Sequence, residues 1–264
     1  VDQNNTHIFY HFHNPTLIER RYFLQHYPKA RFLVLTRSPV QNLESWMMSH
    51  IQRKVLSQNL YPDKTENQSY WLYTWRALIE SLIALFLQLR VYGNERDCSR
   101  IIRLEDIKRD PKAVMPKIAE WIGVSDHPSL YESSFCGVQY WGPSSKATGK
   151  ITGFDTKSID RSLGKLLDPR DIIIFETLFW PYSNLYGYTD MDETAFRLQL
   201  TQIRPWLQEP LEFEKMLFAH LSHDGRSIEE LEQYKRLHRF LNQLWTTLDR
   251  EGTYQGMAPT LELK

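Results

Sequence analysis

Phe32-Leu33-Val34-Leu35-Thr36-Arg37-Ser38-Pro39 is the stretch on which the reading of this chain turns. The run from Arg31 to Leu35 is apolar and partly β-branched, and Pro28 and Pro39 bound it, so it predicts an inner strand. Open α/β sheets hold their ligands at the carboxyl ends of strands, which is where Arg37 stands. Pro39 suits a first helical turn, and Asn42-Leu43-Glu44-Ser45-Trp46-Met47-Met48 continues with helical spacing. Ser45 then lies about 9 Å along the helix axis from Pro39, so it can share an anion with Arg37 only if the ligand lies across the helix flank. A guanidinium and a hydroxyl supply the donors such a site needs. A structural arginine paired with a carboxylate, beside a serine facing water, accounts for the same two residues.

Upstream, Phe9-Tyr10-His11-Phe12-His13-Asn14-Pro15 places two histidines two residues apart. If Ile8 to Phe12 form a short strand, His11 and His13 point to the same face. His13 at such a strand end can act as a base. A two-histidine metal site needs further ligands, and neither a cysteine pair nor a His-Glu-x-x-His run supplies them, so no metal is expected. Ordinary strand or surface histidines are the third reading.

In order along the chain these segments resemble the sulfotransferases that use 3'-phosphoadenosine 5'-phosphosulfate (PAPS). His11-Phe12-His13-Asn14-Pro15 is similar to that family's Lys-Thr-His-Leu-Pro element, and Arg37 with Ser45 to the arginine and serine that hold the donor's 3'-phosphate. The resemblance implies that His13 is the catalytic base and that His11 stands where the family has a lysine. A second landmark is Arg100 to Ile107, then Asp110-Pro111, then Ile118 to Gly123, with Leu104 in the place of the family's tyrosine. There Glu105 and Asp106 can cap the next helix or brace the site's arginine, Arg37. A third is the polar loop Ser144 to Lys150, with Ser158 to Arg161 and a closing helix from Leu178 to Tyr188. It makes Lys146, Lys150 and Arg161 candidates for the 3'-phosphate, or plain solvated cations.

The resemblance implies an α/β fold of the P-loop kinase-like kind: a three-layer sandwich with a central parallel sheet in residues 1–188, followed by a helical extension over 189–264. It also implies sulfonate transfer from PAPS to a hydroxyl or amine acceptor, with PAP as product. The acceptor is a small molecule, lipid or glycan. The glycine-rich turn that cradles the phosphosulfate does not precede Ile8, so the amino-terminal part is expected to be missing. The alternative is a catalytically inactive nucleotide-binding or interaction module on the same scaffold. A phosphotransferase ranks third, for want of a Walker lysine turn and a convincing metal-binding aspartate.

Composition is compatible with this and adds limits. The 264 residues suffice for one sizeable core, and 32 basic residues balance 32 acidic ones, which gives nucleic acid no global electrostatic attraction. Cys98 and Cys136 are too few for a disulfide framework. No apolar run reaches membrane-spanning length, Leu78 to Leu89 reads as a core helix, and a cytoplasmic location is expected. Helices are predicted over Thr16–His26, with Leu17, Tyr22 and Phe23 inward, and over Val40–Ser57 and Glu66–Arg90. Beyond Tyr188 come three helical patterns, the last carrying Leu231, Tyr234, Leu237, Leu241, Leu244 and Leu248 at threes and fours. Such a stripe must be covered, by the rest of the chain or by a second copy in a homo-oligomer.

Overall fold

The structure is a computed structural model that describes residues 9, 17–60, 66–132, 134–135, 138–139, 153–154, 156, 159, 163–219 and 225–262. Helix α1 (Leu17–His26) leads into strand β1 (Phe32–Thr36), which is followed by the long helices α2 (Pro39–Leu60) and α3 (Glu66–Gln88). A short α4 (Glu95–Cys98) opens strand β2 (Ser99–Arg103), which runs parallel to β1 with Phe32 opposite Ser99 and Thr36 opposite Arg103. Helices α5 (Leu104–Arg109) and α6 (Pro111–Ile122) follow, then the two-residue pair β3 (Ser134–Phe135) and β4 (Val138–Gln139). The rest is helical: α7 (Pro169–Leu178), α8 (Trp180–Leu185), α9 (Glu193–Ile203), α10 (Glu212–Phe218) and α11 (Glu232–Glu251).

Local chemistry explains the element ends. Asp110 caps α6 by accepting the Ala113 N–H (3.1 Å), Pro111 occupies the first turn, and Gly123 closes the helix in the left-handed region at φ 79°. Along β2, neighbouring side chains face opposite ways: Ile101 joins the large core and Ile102 a smaller cluster with Ile107, Val114 and Ile118. The large core runs from Met47 and Trp75 through Phe175 and Phe179 to Leu200, Leu241 and Leu248. All six residues of the predicted α11 stripe are buried, and α11 packs on α3, α7 and α9. The chain's own core therefore covers the stripe.

After α11 the chain returns to the sheet as a strap. Gly256 accepts from Val91 N–H (2.6 Å) and Ala258 donates to Leu89 (2.9 Å). Ile101 donates to Pro259 (2.8 Å) and receives Leu261 N–H (2.8 Å), which pairs residues 259–261 with the second edge of β2. Tyr254 and Ala258 are buried beneath this strap.

These observations correct the expected α/β fold. A three-layer sandwich needs a sheet wide enough to carry helices on both faces, whereas β1 and β2 form an open two-stranded sheet in a mostly helical protein. The chain between Thr36 and Ser99 goes into α2, α3 and α4 rather than another strand, and no strand lies between Pro169 and Glu251 among the described residues. β1 pairs with β2 alone among the described residues and leaves Leu35 56% exposed, so it stands at an edge where an inner strand was expected. In α1, Tyr22 is 64% exposed, while Leu24 and Arg20 take the inward positions. Arg20 is buried against Glu95, 3.6 Å away.

Candidate site at the strand ends

The carboxyl ends of β1 and β2 lie side by side because the strands are parallel and in register, so Arg37-Ser38 and Leu104-Glu105 leave the sheet together. Arg37 is half-buried and its Nη2 donates to Gln41 Oε1 (3.1 Å), a neutral acceptor on the first turn of α2. Gln41 in turn donates from Nε2 to the carbonyl of Ile159 (3.4 Å). Ser45 is one turn further along the same helix face as Gln41, and is itself half-buried. The Arg37 guanidinium therefore meets the first turn of α2 at Gln41, and Ser45 follows one turn beyond Gln41 on that helix. The positive end of the α2 dipole lies under the same turn.

The neighbouring Glu44 points inward instead. It is buried, and its Oε1 accepts three backbone N–H groups, from Gly164 (3.1 Å), Leu166 (2.8 Å) and Leu167 (3.0 Å). This clamp holds the segment before α7 against α2.

The β2 side is a satisfied polar cluster. Arg103 binds Asp106 through two N–H groups, Nε to Oδ2 (2.8 Å) and Nη2 to Oδ1 (2.6 Å), and donates from Nη1 to the Gly187 carbonyl (2.7 Å). Its hydrogen bonds to Asp106 raise the Arg103 pKa further, so it stays charged. Glu105 is buried. Its Oε1 accepts the Ser38 N–H (3.4 Å) and its Oε2 accepts the Tyr188 hydroxyl (2.9 Å). Burial first, and then the Glu105 carboxylate, push the Tyr188 hydroxyl pKa far above its ordinary value, so Tyr188 remains a donor. Asp106 thus pairs with Arg103 and not with Arg37, the arginine it was expected to brace, while Glu105 ties the two strand ends to Tyr188.

Of the residues expected to act as base or to hold the donor's 3'-phosphate, Arg37 and Ser45 lie among the described residues. His11, His13, Lys146, Lys150 and Arg161 lie outside the described residues. Sequence reasoning missed Gln41, Glu44 and Tyr188. The four-residue steps from Arg37 to Gln41 to Ser45 were a readable signal for the first. Glu44 and Tyr188 depend on partners more than eighty residues away in sequence. Among the described residues there is no cluster of three or more His, Cys, Asp or Glu side chains able to hold a metal, and no helix is long and apolar enough to cross a membrane.

The functional expectations drawn from the sulfotransferase resemblance are corrected here. The fold is not P-loop kinase-like, because the sheet that would carry a phosphosulfate cradle at its strand ends is absent among the described residues. PAPS as donor, PAP as product and enzymatic sulfonate transfer fall with that sheet, and so does the inactive nucleotide-binding module on the same scaffold. The Arg37 side chain meets Gln41 on the first turn of α2, and Ser45 stands one turn further along that helix. No family model, curated protein or solved structure matches the chain.

Proposed function

We propose that the carboxyl end of β1 binds a small ligand through a single oxyanion group, a carboxylate, phosphate or sulfate, with Arg37 supplying the charge and Ser45 a hydroxyl. The observation that carries this reading is the half-buried Arg37 guanidinium, held by the neutral Gln41 amide over the positive end of α2. A guanidinium presents several N–H donors in a fixed fork, and a charge-assisted hydrogen bond to an oxyanion is the stronger kind. Among the described residues the parallel sheet has two strands, so the reading is confined to a single oxyanion group. A water-borne small molecule and a cytoplasmic setting belong to the same reading; the free thiol of Cys98, its pKa raised by burial, suits a reducing compartment.

Calorimetric titration of the full chain with inorganic phosphate and with sulfate tests the proposal. Arg37→Ala is expected to weaken binding by about 2 kcal/mol and Ser45→Ala by roughly 1 kcal/mol. Arg37→Lys keeps the charge, loses the fork, and falls between wild type and Arg37→Ala. Wild-type affinity in Arg37→Ala, or a marked preference for 3',5'-ADP over phosphate, would remove the reading.

A further inference from the structure

We infer that Tyr188 and Glu105 form a latch that positions the Arg37–Ser38 turn and sets the affinity of the anion site in opposite directions, an inference that rests on the reading above. Ser38 is the only residue between Arg37 and Pro39, and the proline ring fixes its own φ. The direction in which Arg37 leaves the strand therefore depends on the Ser38 peptide. Its N–H is held by Glu105 Oε1 (3.4 Å). Glu105 is in turn held at its other oxygen by the Tyr188 hydroxyl (2.9 Å).

The far end of the latch is itself anchored. Tyr188 follows Gly187, which sits at φ 69° so close to Arg103 that an added Cβ would stand 3.2 Å from Nη1. The Arg103 guanidinium lies over the Tyr188 ring, 5.5 Å from its centroid, and binds the Gly187 carbonyl. One residue earlier, the Tyr186 hydroxyl donates to Ala258 (3.0 Å), so the 186–188 turn is fixed both to β2 and to the carboxyl-terminal strap. A hydrogen-bonded path thus runs from the strap through Tyr186, Tyr188 and Glu105 to the residue beside Arg37.

The two latch residues differ in charge, and that separates their effects. Tyr188→Phe deletes the donor that fixes Glu105, which frees the carboxylate and the Ser38 peptide and blurs the Arg37 geometry. Glu105→Gln keeps an oxygen for Ser38 N–H and an amide that can pair with the Tyr188 hydroxyl. It removes a negative charge lying within one residue of Arg37, and that charge opposes an incoming anion. Tyr188 and Glu105 are positioning residues and touch no ligand themselves.

The test is phosphate titration of the full chain and its variants, read by calorimetry, together with hydrogen exchange of the Ser38 amide without ligand. Tyr188→Phe is expected to weaken phosphate binding about three- to tenfold and to speed Ser38 exchange. Glu105→Gln is expected to tighten binding about threefold or more. Damage to the fold would weaken both variants, so opposite signs distinguish the latch from a structural role. If Arg37→Ala loses binding while Tyr188→Phe matches wild type in affinity and in Ser38 exchange, the latch is overturned and the anion site stands. Weaker binding in Glu105→Gln also overturns it. Absence of phosphate binding in the wild-type chain, with Ser38 exchange faster in Tyr188→Phe, overturns the anion reading and reduces the latch to a structural tie.

Discussion

Replacing Glu44 separates the two ways in which a buried carboxylate can support a fold. Its Oε1 accepts N–H groups from Gly164, Leu166 and Leu167, and the side chain is only 4% exposed. In Glu44→Gln an oxygen remains to accept these bonds, but they become neutral, which lowers each from the charged to the ordinary range. With one oxygen serving three donors, the loss is about 2 kcal/mol. In Glu44→Ala all three donors lose their acceptor. The Leu167 interaction is fully buried, whereas those of Gly164 and Leu166 are partly open and can be rehydrated. Counting the full desolvation cost for Leu167 and about half of it for each of the others gives about 2–6 kcal/mol, centred on about 4 kcal/mol. At about 2–4 °C per kcal/mol, the expected fall in Tm is about 4–8 °C for Gln and roughly twice that for Ala. Calorimetric melting gives these values, and amide exchange shows whether Gly164, Leu166 and Leu167 lose protection together. Equal and small losses for the two variants, or retained protection of Leu167 in the Ala variant, would refute the clamp.

Three further predictions follow from buried contacts elsewhere. Gly256 sits at φ 72° with an added Cβ 2.7 Å from the Val91 carbonyl, so Gly256→Ala should cost more than about 1 kcal/mol and lower Tm, and an unchanged Tm would mean that the strap is not seated as described. His238 places Nε2 at 2.7 Å from Glu214 Oε2 and Nδ1 at 3.0 Å from the Leu207 carbonyl, so His238→Leu should cost about 3–5 kcal/mol in chemical denaturation, and His238→Leu/Glu214→Leu should recover part of it; no recovery would contradict a mutual pairing. Burial raises the Asp171 carboxyl above its ordinary 3.8, against the opposing N–H groups of Phe213 and Glu212; the folded state then holds that proton more tightly than the unfolded state, so this contribution favours folding below pH 3.8 and disappears as pH rises through the folded-state pKa. A profile of Tm against pH should lose that component in Asp171→Asn, and identical profile shapes would place the effect elsewhere.

The elements were legible where a local signal sufficed. Periodicity gave α2, α3 and the α11 stripe to within a few residues, and the apolar run before Arg37 gave β1. Pairing was not legible, because it joins distant stretches. The sequence shows Arg20 as a polar residue on a helix, yet it is buried against Glu95. It shows nothing that would bring Gln41 to Ile159 or Tyr188 to Glu105. Tyr22 was assigned inward on helical spacing alone, which cannot tell which stripe of a weakly amphipathic helix meets the core.

The sulfotransferase resemblance misled for a related reason. Asp110-Pro111 is a helix start, in which the aspartate accepts the Ala113 N–H and proline fits the first turn. Gly123 is the left-handed residue that ends the same helix, and Gly187, also left-handed, turns the chain after α8. Asp110-Pro111, Gly123 and Gly187 therefore solve local problems of starting a helix, stopping it or turning the chain, and any chain with helices near a strand meets such problems. Their order along 8–188 gave them joint weight, but order among punctuation residues does not specify how many strands stand side by side. Only hydrogen-bonded register does that, and among the described residues it joins two parallel strands and a strap. Of the pair with chemistry in it, Arg37 meets the flank of α2 at Gln41, and Ser45 stands one turn beyond Gln41. The sequence could not supply the residues that hold that flank in place, because Gln41, Glu44 and Glu105 act through partners between 67 and 123 positions away. A site of this kind is readable as a list of donors, while its geometry depends on contacts that form only when the chain has folded.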